Sequence, residues 1–360
     1  MVLFYQGLGF SGVQIGLLMG MFPLVAMVGA PLWTGMADTK GRHKLIMSLT
    51  ILVTVALAIV FPLLKTFAPM VLLVMLYSLF SAPITSFADS ATMTMLAGEK
   101  EMYGRVRLGG TIGWGLVAPV GGALIQAYGL KLAFWVYAGL MFLTFIISQK
   151  FTFGQHVEGG TIRGNVRHLL ADRRWLLFLI LAFIGGVAIT SINNYLFPYM
   201  EELGASKTTM GIALTLSTIG ELPVLFYANR LLRRFKAYGL LTLGMTITGV
   251  RLLLYAAFNF PLGILIFQLL NGMTFPIVWV AAVSYAYENA PEGIKSTAVG
   301  LLAAVMFGIG SATGGFTGGL LLESIGGRGM YLLFGTVVLV CVLIITLLER
   351  RQAAVQPRRV

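Results

Sequence analysis

Residues 45–64 read LIMSLTILVTVALAIVFPLL, twenty residues without a charge, closed by Lys44 on one side and Lys65 on the other. Wound as a helix at about 1.5 Å per residue, this stretch is about 30 Å long, the thickness of a bilayer's hydrocarbon core. A helix is the expected form because lipid offers no partner to a backbone N–H or C=O, so each must be satisfied within the segment. Ten further apolar runs of similar length lie near 12–34, 69–97, 108–127, 132–150, 175–199, 208–228, 238–257, 261–287, 296–322 and 329–348. Across all 360 residues 58% are hydrophobic and 11% charged, more apolar surface than a soluble domain hides from water. The chain therefore reads as an all-α membrane protein of about eleven transmembrane helices.

The net charge of +12 invites a nucleic-acid reading, but the distribution of the basic residues excludes it. Twenty of the 25 Lys and Arg fall in alternate connections and the C-terminal tail, while Lys65, Lys131, Lys207 and Arg328 are the four in the other set and Arg251 lies inside a span. The positive-inside rule makes the rich side cytoplasmic, which places the chain in the cytoplasmic membrane with its C-terminus inside. An inside C-terminus and eleven spans put the N-terminus outside. The opening MVLFYQGLGFSG then reads as the end of a preceding helix, with the first helix missing, and no cleavable signal is visible. Cys341 is the single cysteine, and His43, His156 and His168 all lie in cytoplasmic loops. No disulfide, metal site or cofactor is expected, nor any clustered nucleophiles of a membrane enzyme.

An internal repeat at an offset of about 195 residues organises the chain. Leu8, Gly9, Ser11 and Gly16 recur as Leu203, Gly204, Ser206 and Gly211, and Gly121, Gly122 and Gly129 recur as Gly318, Gly319 and Gly326. The expected division is an N-terminal bundle over 1–150, a polar, glycine-rich cytoplasmic linker over 151–174, a C-terminal bundle over 175–350 and a tail over 351–360. Parallel repeats of this kind hold a substrate near the midplane, where the halves meet.

The loop GMADTKGRHK (35–44) resembles the cytoplasmic signature of the major facilitator superfamily, and YGRVRLGGTIGWG (103–115) resembles its branch holding lactose permease, nucleoside–proton symporters and phenylpropionate permease-like proteins. The resemblance covers essentially the whole chain and implies two parallel-repeat helical bundles. It makes Asp38, Gly41, Arg42 and Lys44 a conformational latch, Arg107 and Trp114 substrate contacts, and Asp89 the partner of Arg107. Arg251 matches an intramembrane arginine of a proton site, and Glu221 an acid near it. The chain departs from the permease at Asn271 and Thr274, where that protein has a histidine and a proton-carrying glutamate, so the coupling site is not copied intact.

The residues taken alone point the same way. Asp89, Glu221 and Arg251 each sit in an otherwise apolar span, where a lone charge costs a few kcal/mol on insertion scales. Asp89 and Arg107 are each nine residues from Gly98, hence level on adjacent helices. They read as a transport pair, as a helix-to-helix staple, or with Arg107 snorkelling to the inner surface. Glu221 and Arg251 carry the same two readings of function or staple. The repeat reproduces neither pair, since Asp89, Arg107, Glu221 and Arg251 correspond to Ser284, Leu302, Ala26 and Ala56, which favours function. Gln268, Asn271 and Thr274 recur every three residues on one helical face; with Asn193 and Asn194 they read as the polar wall of a solute cavity or as interhelical hydrogen bonds.

The expectation is a monomeric secondary transporter that moves a small polar solute (sugar, nucleoside or aromatic acid) by alternating access, coupled to protons through Asp89, Glu221 and Arg251. An exporter or exchanger on the same fold and a non-transporting solute sensor are the alternatives.

Overall fold

The computed structural model describes residues 1–96, 102–153, 171–290 and 295–355, with the side chains at 103–105, 107, 229, 296 and 350–355 excepted. Among these residues every regular element is helical. A short α1 (Val2–Gly7) leads into α2 (Gly12–Lys40), α3 (His43–Val60), α4 (Phe67–Met95), α5 (Met102–Tyr128) and α6 (Lys131–Ser148). Most of the expected linker and the end of the tail, 154–170 and 356–360, lie outside the described residues. The second half comprises α7 (Arg173–Glu202), α8 (Lys207–Ala257), α9 (Pro261–Gln268), α10 (Phe275–Asn289), α11 (Lys295–Ala303) and α12 (Ser311–Val355). A 3₁₀ segment, Leu269–Met273, joins α9 to α10, and a π segment, Ala304–Gly310, joins α11 to α12.

Ten helical stretches are long and apolar enough to cross a membrane, and the last, Thr297–Glu349, has 53 residues. That is roughly 80 Å of helix, more than twice a bilayer core. It breaks at Gly326 (φ 69°, ψ 172°), so it is long enough for two passes, which makes eleven among the described residues. α8 breaks in the same way at Lys236, which divides it into a first limb before that residue and a second limb after it.

The repeated residues have repeated jobs. Gly9 and Gly204 both take φ 78°, a left-handed turn open to glycine at little cost. Two residues on, Ser11 and Ser206 cap the next helices, with Ser11 Oγ accepting from Gln14 N (3.3 Å) and Ser206 Oγ from Thr209 N (3.1 Å). Gly16 and Gly211 then bring backbones together: an added Cβ would stand 2.5 Å from Phe316 O in one case and 2.5 Å from Ala118 O in the other.

These close approaches join the two halves. α2 lies against the first limb of α12 from Gly12–Gly319 through Gly16–Phe316 and Gly20–Ala312, and reaches the π segment at Met27–Gly308. α5 lies against the first limb of α8 through Gly122–Lys207 and Ala118–Gly211, and Thr215 Oγ1 donates to Gly115 O at 2.7 Å. Both seams hug the end of the molecule that carries the turns at Gly9, Gly129, Gly204 and Gly326. Towards the other end, at Gly113, Gly110 and Gly109, nothing approaches α5 within 4 Å of an added Cβ. Among the described residues the halves are closed against each other at one end and parted at the other.

Lys236 stands 195 residues after Gly41 and adopts φ 57° where Gly41 has 60°. With ψ at 164° it occupies backbone space that is essentially glycine's own, at a cost of order 1–3 kcal/mol. Lys236→Gly should therefore raise stability by about 1 kcal/mol once glycine's larger unfolded-state entropy is deducted. A rise in the thermal midpoint of detergent-purified protein is the expected result, and a fall would refute the strained geometry.

Candidate functional site

The second limb of α8 carries Arg251 into the interior, where the side chain is 0% exposed. A buried guanidinium must find acceptors for five N–H groups. Nε donates to Tyr255 Oη at 2.7 Å, one turn along the same helix. Nη1 donates to Asn271 Oδ1 at 2.7 Å and to Thr274 Oγ1 at 2.8 Å, and Nη2 donates to Gln268 Oε1. All four acceptors are neutral, and no carboxylate among the described residues pairs with this cation.

The local backbone makes this possible. Gln268, Asn271 and Thr274 flank or occupy the 3₁₀ segment, whose three residues per turn stack positions i and i+3 in one row. Thr274 leaves helical space (φ −107°, ψ −90°), and Pro276, at the start of α10, has no N–H to lose there. The Thr274 hydroxyl accepts from Arg251 and donates to Asn271 O at 2.8 Å, which fixes its direction. Gly272 lies so close to α8 that an added Cβ would stand 1.9 Å from Gly220 O. That contact sets Glu221, the next residue, beside Asn271.

Asn271 Nδ2 donates to Glu221 Oε1 while its Oδ1 accepts from Arg251, so a single amide links carboxylate to guanidinium. The sequence suggested Glu221 and Arg251 as direct partners; the structure inserts Asn271 between them. It also buries Gln268 (2% exposed) and Thr274 (1%) against Arg251, leaving Asn271 and Glu221 half-buried at the edge. Tyr255 is the member that sequence reasoning missed, although its position four residues after Arg251 was a usable signal.

The other candidates are dispersed. Asp89 is half-buried on α4 and accepts no hydrogen bond from the described residues; the Arg107 side chain lies outside them. Trp114, on α5 beside the Gly115–Thr215 contact, is 63% exposed and borders an apolar groove of about 230 Å³ with Val117, Phe197 and Met210. On α7, Asn193 is exposed and Asn194 half-buried, and neither has a hydrogen-bond partner among the described residues. At the parted end, Gly41 closes α2 in left-handed geometry (φ 60°, ψ 25°) and Arg42 opens α3. Asp38 Oδ1 lies 2.7 Å from His43 Nε2, and Lys44 Nζ donates to Gln149 O at the end of α6. His43 stacks on Phe153 at 5.4 Å, adding two residues to the expected latch.

The sequence profile of the MFS_1 like family matches residues 1–333. The maltose permease of Geobacillus stearothermophilus is 29% identical over 344 residues, spanning 95% of this chain and 87% of the permease. The uncharacterized transporter YwbF of Bacillus subtilis (strain 168) is 25% identical over 329 residues, spanning 90% and 82%. The crystal structure of a point mutant of the nucleoside transporter NupG superposes with a TM-score of 0.83 at 16% identity, covering 95% of this chain and 92% of that one, which is a likeness of fold.

Two substitutions test the arrangement. Gln268→Leu strands one guanidinium N–H without an acceptor and should cost ~1–3 kcal/mol. Gly272→Ala cannot be seated without parting α8 from the 3₁₀ segment, so it should lower the thermal midpoint further. Wild-type midpoints for both variants would refute the buried cage.

Proposed function

This chain belongs to the MFS_1 like family of the major facilitator superfamily and is a multi-pass membrane transporter, and from that premise we propose that it is a proton-coupled symporter of a sugar- or nucleoside-like solute. The observation that carries the reading is the chain Glu221–Asn271–Arg251. Glu221 is the carboxylate at the edge of the cage, and it sits half-buried where the cage meets the parted end. A carboxylate whose solvation changes between two conformations binds and releases a proton in step with them. In the proposed cycle Glu221 takes a proton from the outer side, the halves rock, and the proton leaves to the cytoplasm with the solute. The fixed positive charge of Arg251 stands one amide away from that proton's seat and remains in place throughout the cycle.

Solute contact is assigned to Trp114, Asn193 and Asn194, together with Arg107 on α5 and Asp89 on α4. An exposed indole stacks on a sugar or base face, and free amides bind hydroxyl groups. A maltose permease among the relatives favours a polyhydroxylated solute. Asp38, Gly41, Arg42 and Lys44 are proposed to latch the parted end when it closes. The alternation of basic loops supports a cytoplasmic membrane with that end, and the C-terminus, inside.

The test uses proteoliposomes with labelled maltose and uridine as probes. Glu221→Gln should reduce accumulation driven by an inward proton gradient at least ten-fold while leaving counterflow of the same solute intact. Undiminished accumulation by this variant would remove Glu221 from coupling and favour an exchanger. Counterflow of neither probe by wild-type protein would overturn the solute class.

A further inference from the structure

The end of the first limb of α8 and the break that follows it carry Arg230, Arg233, Arg234 and Lys236 within seven residues, all exposed. None of the four has an ion-pair partner among the described residues; the contacts they do make are to rings. The Arg230 guanidinium lies over Tyr227, 5.6 Å from its centroid, and that of Arg234 over Phe235, also at 5.6 Å. Both rings are themselves exposed, Tyr227 at 47% and Phe235 at 41%.

The repeat supplies a control. Its counterpart, the turn between α2 and α3, contains a carboxylate of its own, Asp38, which faces His43, while Lys44 reaches Gln149 O at the end of α6. In the α8 turn the position of Asp38 is taken by Arg233, that of Gly41 by Lys236 and that of Arg42 by Ala237. The internal carboxylate has become a fourth cation, and a lysine is held at φ 57° where glycine would sit without strain. The turn thus lacks the anion its counterpart contains, and it keeps a charge at an unfavourable backbone position. It joins two helical limbs that are each long and apolar enough to cross a membrane, and tyrosine rings such as that of Tyr227 are enriched where such passes meet lipid headgroups.

We propose that this turn is a binding site for the phosphate of an anionic phospholipid headgroup, which takes the place that Asp38 holds in the first half. Guanidinium groups match a phosphate by paired N–H donors, and the rings beneath them hold them at the interface. Each cation near an anionic surface strengthens attraction by about a factor of five, so removing three weakens it by roughly a hundred-fold.

The experiment compares dioleoylphosphatidylglycerol with dioleoylphosphatidylcholine added to the protein purified in maltoside micelles, read by thermal midpoint and by lipid retained in native mass spectrometry. Phosphatidylglycerol should raise the midpoint and remain bound where phosphatidylcholine does not. Arg230→Gln/Arg233→Gln/Arg234→Gln should abolish the difference, while Lys40→Gln/Lys150→Gln/Arg173→Gln, which removes equal charge elsewhere at the same end, should keep it. Arg233→Gln and Lys236→Gly alone, each expected to retain less phosphatidylglycerol, decide the matter should the triple variant not fold. The proposal falls if wild-type protein does not distinguish the lipids or if both triple variants lose the response equally. It also falls if millimolar inorganic phosphate reproduces the shift, which would make the site one for a free anion.

Discussion

A charge that lipid does not tolerate, sealed among atoms that carry none, governs the second half of this molecule. Arg251 is held by a phenol, two amide oxygens and a hydroxyl, and every one of these must be in position at once. That demand accounts for the irregular backbone around it. The change from α to 3₁₀ winding after Gln268 aligns three polar side chains, the departure at Thr274 orients a hydroxyl, and the Gly220–Gly272 contact brings Glu221 within reach of the amide. Neutral acceptors partly compensate a buried cation at less cost in specificity than a fixed carboxylate, which would cancel the charge outright. The guanidinium accordingly retains an influence on Glu221, the carboxylate at the end of the hydrogen-bond chain.

The architecture could be read from the residues because lipid imposes a length and a charge rule that run directly along the chain. The uncharged run 45–64 matches the structure's His43–Leu63 pass to within two residues at either end, and the repeated Gly9/Gly204 and Ser11/Ser206 prove to be turns and caps of like geometry. The positive φ at Lys236 was hidden because residue type argues against it; only its offset from Gly41 announced it. At the site, the spacing of Gln268, Asn271 and Thr274 identified a shared face, but spacing alone does not say what that face meets. Their target was Arg251, twenty residues back, and a cavity wall and a cation cage have the same sequence signature. Likewise Glu221 and Arg251 were recognisable as charges needing a partner, whereas the intervening amide depends on the glycine contact that positions it. For Asp89, the side chain that would complete the expected pair is outside the described residues.

The two seams between the halves differ in kind. Where α5 meets α8, Thr208 and Thr215 donate to Gln126 and to the carbonyl of Gly115, so that contact has direction as well as shape. Where α2 meets α12, from Gly12 to Gly20, the approach is made by backbone and small side chains, and no side-chain hydrogen bond links them there. Separating the second surface breaks dispersion contacts spread over many atoms, each individually small, and leaves no polar atom bereft. Such a joint owes its register to fit alone and has little sensitivity to ionic strength. Brine and dilute buffer leave it equally strong, while the α5–α8 seam adds, through its hydroxyls, bonds that hold in only one direction.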